Sequence, residues 1–239
     1  MYKIAFFISN LIVCLVPGSA RRHSVRGKIN TWLLEPVIVR FVRKTWGERV
    51  NDIHFVRQNT PSRFVCVVNN KYFVKVFANL PMKKLKDFQE LMQYIRPKLK
   101  VQIPNVVIHR CIPMYATERV KGKHITEFDK EFILQNQDKI LEQVHKFIRA
   151  LQRIKVDGIP NKDRFLTALQ ERTVEAPCKK PRQVFAHFDL NILNMMFDDE
   201  LNLCAIIDWD AVSIANNPTT DTTIFLKYWN RWKRRMMKS

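Results

Sequence analysis

The sequence predicts an α+β chain, with short antiparallel strands in its first half and amphipathic helices in its second. Three observations carry that reading. Residues 52–77 hold three β-type runs, the last two separated only by Asn69-Asn70, a dipeptide suited to a tight hairpin. Apolar residues then recur at helical spacing over 83–99 and again over 132–154. Finally, His187-Phe-Asp189-Leu-Asn-Ile-Leu-Asn194 leads through Met-Met-Phe and an acidic turn to Leu203-Cys-Ala-Ile-Ile-Asp208-Trp-Asp210. That last stretch reads as a polar loop, a short hairpin, and a carboxylate at the end of an apolar strand.

Composition narrows the classes. Hydrophobic residues make up 46% of 239 residues, enough for a substantial core in one domain or two small lobes around a cleft. Lys and Arg outnumber Asp and Glu by 41 to 22, a formal charge of +19 that draws polyanions to the surface. Nucleic acid is supported by that charge alone and is an unlikely partner: no nucleic-acid module is visible, and the aromatics fit strands and cores better than a stacking platform. The five cysteines are scattered, with no C-x-x-C and no zinc spacing, which reads as reduced thiols in a cytoplasmic protein.

In chain order, residues 4–16 form an apolar run followed by the basic Arg21–Lys28. The run is short for a bilayer span and its positive flank opposes export, so it reads as a helix in the interface of an anionic membrane or as a first helix on the core. Residues 30–46 are a buried helix or strand with a basic end. The turn Arg57–Ser62 between the first two strands contains no glycine. Lys75 shares the face of the third strand with Phe73 and Phe77, an apolar setting that asks for an anionic partner. On the following helix Asp87 and Glu90 are the candidate acids, Asp87 lying nearer the apolar stripe. Segments 104–109 and 113–118 read as strands, and Glu118-Arg-Val120-Lys-Gly122 as a bend made possible by glycine. Residues 174–182 are a loop into the strand 183–186, and the chain ends in an aromatic, basic helix.

A carboxylate, an amide and a second carboxylate at this spacing suit phosphoryl transfer, which asks for metal ligands and an acceptor for the attacking proton. Here the chain resembles the aminoglycoside phosphotransferase and choline kinase group, whose pattern H-x-D-x-x-x-x-N, I-D-W-[DE], then a proline and an aspartate is matched by His187, Asp189, Asn194, Ile207-Asp208-Trp209-Asp210 and Pro218 with Asp221. The resemblance implies a protein-kinase-like fold of two lobes: a leader and extension (1–48), an antiparallel-sheet N-lobe (49–118) and a mainly helical C-lobe (119–239). It implies ATP and Mg²⁺ as cofactors, Asp189 as catalytic base, Asn194 and Asp208 as metal ligands, and Lys75 on the nucleotide phosphates. It also implies adenine at the backbone of Glu118 and Val120, with His187, Asp210 and Asp221 as supports. The leader is similar to that of some bacterial capsule and lipopolysaccharide assembly enzymes. The expected protein is therefore a kinase acting on a hydroxyl of a small molecule or glycan, cytoplasmic and peripheral at the inner membrane. A catalytically inactive binding protein of the same fold is the alternative, motivated by the glycine-free turn.

Overall fold

The computed structural model describes residues 3–5, 7–8, 19–56, 62–159, 162–165 and 182–237. The glycine-free turn at 57–61, most of the apolar run and nearly all of the 174–182 loop lie outside them. The chain divides into two compact units, one of Met1–Gln89 with Asn105–Arg119, the other of Glu90–Pro104 with Val120–Ser239.

The first unit opens with α1 (Ser19–Trp46). It is helical throughout, longer than the 30–46 segment that sequence left between helix and strand, because the basic Arg21–Lys28 flank continues the same helix rather than forming a linker. Leu34, Ile38, Phe41 and Val42 recur along one side and are buried. They pack on a five-stranded antiparallel sheet ordered β1-β2-β3-β5-β4, from β1 (Ile53–Phe55), β2 (Arg63–Val68), β3 (Tyr72–Phe77), β4 (Val107–Ile108) and β5 (Met114–Glu118). Asn69 and Asn70 both take left-handed φ, 52° and 51°, the conformation a two-residue hairpin demands and asparagine tolerates. Alternation along β3 is clean: Tyr72, Val74 and Val76 are buried, while Phe73, Lys75 and Phe77 share the half-buried face. The segment 104–109 yields only the two-residue β4, its neighbours running as irregular chain.

Helix α2 (Met82–Ile95) buries Leu85, Leu91, Met92 and Ile95, and tightens into a 3₁₀ turn at Arg96–Lys98. The α-helix stops four residues short of the expected 99, where Pro97 withholds the next backbone donor.

In the second unit, the stretch 132–154 is two helices rather than one: α3 (Lys130–Gln135), capped by Asp129, and α4 (Gln137–Arg153). Asn136 breaks the run with a non-helical ψ of 11°. From α4, Ile140, Val144, Phe147, Ile148 and Leu151 are buried. A two-stranded ribbon pairs β7 (Val184–Ala186) with β10 (Ser213–Ala215). A three-stranded sheet orders β6 (Lys123–His124), β8 (Met195–Phe197) and β9 (Leu203–Ile206) as β6-β8-β9. Helix α5 (Thr220–Met236) closes the chain and buries Thr220, Asp221, Phe225 and Trp229.

Candidate active site

The polar loop after β7 is built around a buried histidine. His187 has no exposed surface, and its Nε2 lies 3.0 Å from the Ile207 carbonyl oxygen. A carbonyl only accepts, so Nε2 carries the proton, and Nδ1 accepts the Asp189 backbone N–H at 3.3 Å. The neutral ring thus ties the loop to the residue preceding Asp208. Trp209 packs on it, ring centroids 4.6 Å apart, and donates its own Nε1–H to Ile206 O at 2.9 Å.

Asp221, at the start of α5, holds the same loop from the other side. Its Oδ2 accepts the His187 N–H at 2.8 Å and its Oδ1 the Phe188 N–H at 3.0 Å. Phe188 sits between them at φ 62°, a strained value for a bulky residue, and the two bonds from Asp221 hold the backbone there. Burial pushes the Asp221 carboxyl up to about 6, against the pull of those two donors.

The Asp189 carboxylate is half-buried and held at both oxygens, Oδ1 by Asn191 Nδ2 at 3.1 Å and Oδ2 by Asn194 Nδ2 at 3.0 Å. Asn194 Nδ2 also reaches the Asp189 carbonyl at 2.9 Å, which commits that amide nitrogen and leaves Oδ1 for a cation. Asn191 also caps the 3₁₀ turn Ile192–Asn194 by accepting the Leu193 N–H at 2.9 Å. Asn191 was not singled out by sequence, and Trp209 entered only as part of the I-D-W-[DE] match, with no partner assigned. Asn191, a capping-type residue just before an apolar turn, carried a readable signal; the partner of Trp209 is set only by folding.

Pairing of β8 with β9 sets Met195 opposite Ile206, and Ile207 N donates to Asn194 O at 2.9 Å. The ladder thereby brings Asn194 beside the end of the strand that carries Asp208. Asp208 leaves it in a left-handed turn, φ 59° and ψ 57°. Two hard oxygen donors, one amide and one carboxylate, suit Mg²⁺, which keeps several waters and takes the rest of its shell from phosphates. Among the described residues no group of three or more His, Cys, Asp or Glu is placed to hold a metal. Asp210 is exposed in the 3₁₀ turn Trp209–Ala211.

The remaining candidates fall as follows. Lys75, in the first unit, pairs across the sheet with Val65 and Tyr115, and its ammonium lies 5.7 Å from the Tyr115 ring centroid. Asp87 is half-buried on α2. Glu90 is paired with Arg164, Oε2 to Nη2 at 2.8 Å, within the second unit. Glu118 ends β5 opposite Tyr72 and is exposed. Val120 is buried, clustered with Met196 and Ala205 and flanked by Cys204 and Ile207. Gly122 bends the chain at φ 111°, and a Cβ there would lie 2.6 Å from Cys204 Sγ and 3.0 Å from Phe197 O, so only glycine fits.

Residues 56–182, just over half of the chain, match the model of the phosphotransferase enzyme family. The match stops short of His187, so the geometry of the loop that carries His187 is independent of it. No curated protein sequence matches. Among solved structures, the GDP complex of wild-type aminoglycoside 2'-phosphotransferase-IIIa aligns with a TM-score of 0.60 at 15% identity, over 86% of this chain and 81% of that one. The streptomycin-ATP-APH(2")-IIa ternary complex gives 0.58 at 16%, over 77% and 73%. The macrolide 2'-phosphotransferase MphH from Brachybacterium faecium gives 0.55 at 10%, over 85% and 83%. At such identities the likeness is one of fold, an antiparallel sheet in the N-terminal part and a mainly helical C-terminal part. By its sequence match, the chain belongs to the phosphotransferase enzyme family.

Proposed function

We propose that this chain transfers the terminal phosphate of ATP to a hydroxyl group of a small molecule or glycan. The observation that carries the reading is the loop in which Asp189, held at both oxygens by Asn191 and Asn194, lies close in the chain to a ladder pairing Asn194 with the strand that ends at Asp208. In this reading Asp189 accepts the hydroxyl proton as the acceptor oxygen bonds to the γ-phosphorus and the bond to the bridging oxygen breaks, releasing ADP. Asn194 Oδ1 and the Asp208 carboxylate would hold Mg²⁺, which when bound would supply positive charge to the phosphates. Lys75 keeps the role on phosphate oxygens that the resemblance implies, and of its two candidate acids Glu90 is already paired with Arg164, which leaves Asp87.

The nucleobase reading rests on the second unit. Val120, in the Glu118–Gly122 bend, is buried in an apolar cluster with Met196 and Ala205, against which Ile207 packs. ATP is bound by one of the similar folds and GDP by another, so nucleotide choice is part of the proposal.

For the acceptor, the +19 charge favours an anionic molecule, such as a lipopolysaccharide or capsule sugar met at the inner face of the bacterial membrane. The test is a transfer screen with γ-labelled ATP over lipopolysaccharide core, aminoglycoside and amino-alcohol acceptors, with Asp189→Asn as control. Label moving to the glycan with wild type and not with the variant supports the reading. Equal transfer to aminoglycosides or choline sinks the glycan assignment, and no transfer to any acceptor sinks the activity.

A further inference from the structure

The face of α1 turned away from the core has no role in the chemistry above. Lys28, Trp32, Pro36, Arg40 and Arg43 are all exposed and recur every three or four residues, opposite the buried Leu34, Ile38 and Phe41. Trp32 is 74% exposed, the most of any large apolar side chain among the described residues. In the first unit the other large apolar groups so exposed are Ile4 at 59% and Phe7 at 69%; between them Ala5 is buried in the cluster that holds Leu34 and Ile38. Every such group of that unit therefore falls within its first 32 residues. The sequence of α1 carries seven Lys and Arg against one acid, Glu35.

We propose that this face of α1, with Ile4 and Phe7, is a docking surface for an anionic lipid bilayer. A tryptophan and aliphatic side chains beside a row of cations match the boundary between acyl chains and acidic headgroups, where indole takes both an apolar and a wet neighbour. A nucleic acid would use the cations but gives Ile4 and Phe7 nothing to bury against. A second protein would bury the apolar groups but leaves the exposed cations Lys28, Arg40 and Arg43 on this face unmatched. Among the described residues no helix is long and apolar enough to cross a membrane, and the contact proposed is one at the membrane surface. The proposal stands without the phosphotransfer reading, since no residue of that site belongs to this face.

The test is co-sedimentation of the full chain with vesicles of phosphatidylcholine alone and with 30% phosphatidylglycerol, at about 0.15 M salt. Wild type is expected to partition at least tenfold better onto the anionic vesicles. Trp32→Ala should lower that partitioning about tenfold. Lys28→Glu/Arg43→Glu should lower it by more, since each cation near such a surface is worth roughly fivefold. Unchanged thermal midpoints of both variants show that they fold, as expected for exposed positions. Equal partitioning onto both vesicle types, or variants that bind like wild type, overturns the proposal. So does tight, salt-sensitive binding to duplex DNA with no vesicle binding.

Discussion

The Asp221 carboxylate spans two consecutive backbone donors, the N–H of His187 at 2.8 Å and that of Phe188 at 3.0 Å. A single buried side chain therefore sets the path of the loop that leads to Asp189 and the strained φ of Phe188. Asp221→Asn keeps the shape but faces one N–H with another donor. It should lower stability by about 1–3 kcal/mol, the loss for an unsatisfied buried donor, and lower kcat with it. Chemical denaturation alongside steady-state kinetics checks this, and an unchanged denaturation midpoint would argue against it.

The same carboxyl gives a pH dependence. Its folded value, about 6, lies above its ordinary 3.8, so between those values the folded state holds a proton that the unfolded state has lost. Its stability contribution is thus complete below about pH 4 and disappears as pH rises through 6. The loop behaves oppositely, because only the ionised group accepts both N–H bonds well. Activity should fall as pH drops through about 6, and that step should be missing from the profile of Asp221→Asn.

Asp189→Asn removes the proton acceptor while leaving an isosteric group among the same amides. Transfer should fall by about 10²–10⁴-fold, with a stability loss of about 1 kcal/mol, because one of the two amide donors then faces an NH₂ group at this half-buried site. A variant retaining a tenth or more of the activity would remove Asp189 from the chemistry.

Asn191→Ala loses both the bond to Asp189 Oδ1 and the cap on Leu193 N. About 1 kcal/mol of stability should go with the cap. Because Asn191 orients Asp189 rather than touching the acceptor, the effect should fall on kcat and leave KM close to wild type.

Gly122→Ala places a Cβ 2.6 Å from Cys204 Sγ at a φ of 111°. Crowding and backbone strain together should destabilise by about 1–3 kcal/mol. Adding Cys204→Ala should recover part of this and no more, since the φ and the 3.0 Å approach to Phe197 O persist. Thermal melts of the two variants measure the difference.

Much of the site was legible along the chain. His187, Asp189 and Asn194 fall within eight consecutive residues, and Asp208 ends a strand that apolar composition marks out. Asn69-Asn70 read as a hairpin because the turn is local. Asn136 escaped notice inside an apolar periodicity that continues on both sides of it, and α1 exceeded its expected bounds because a basic flank says little about secondary structure.

What the sequence determined by itself, then, is whatever depends on neighbours a few residues apart: strand and helix periodicity, the Asn-Asn turn, and the cluster of carboxylate and amides that phosphoryl chemistry needs. Only the tertiary structure decided which distant groups those residues meet. Asp221 reaches back to His187 across 34 positions, the ring of His187 chooses its tautomer from the carbonyl of Ile207, and Glu90 pairs with Arg164. The reason is physical: a buried polar group must find a partner wherever folding brings one, and spacing along the chain does not record that encounter.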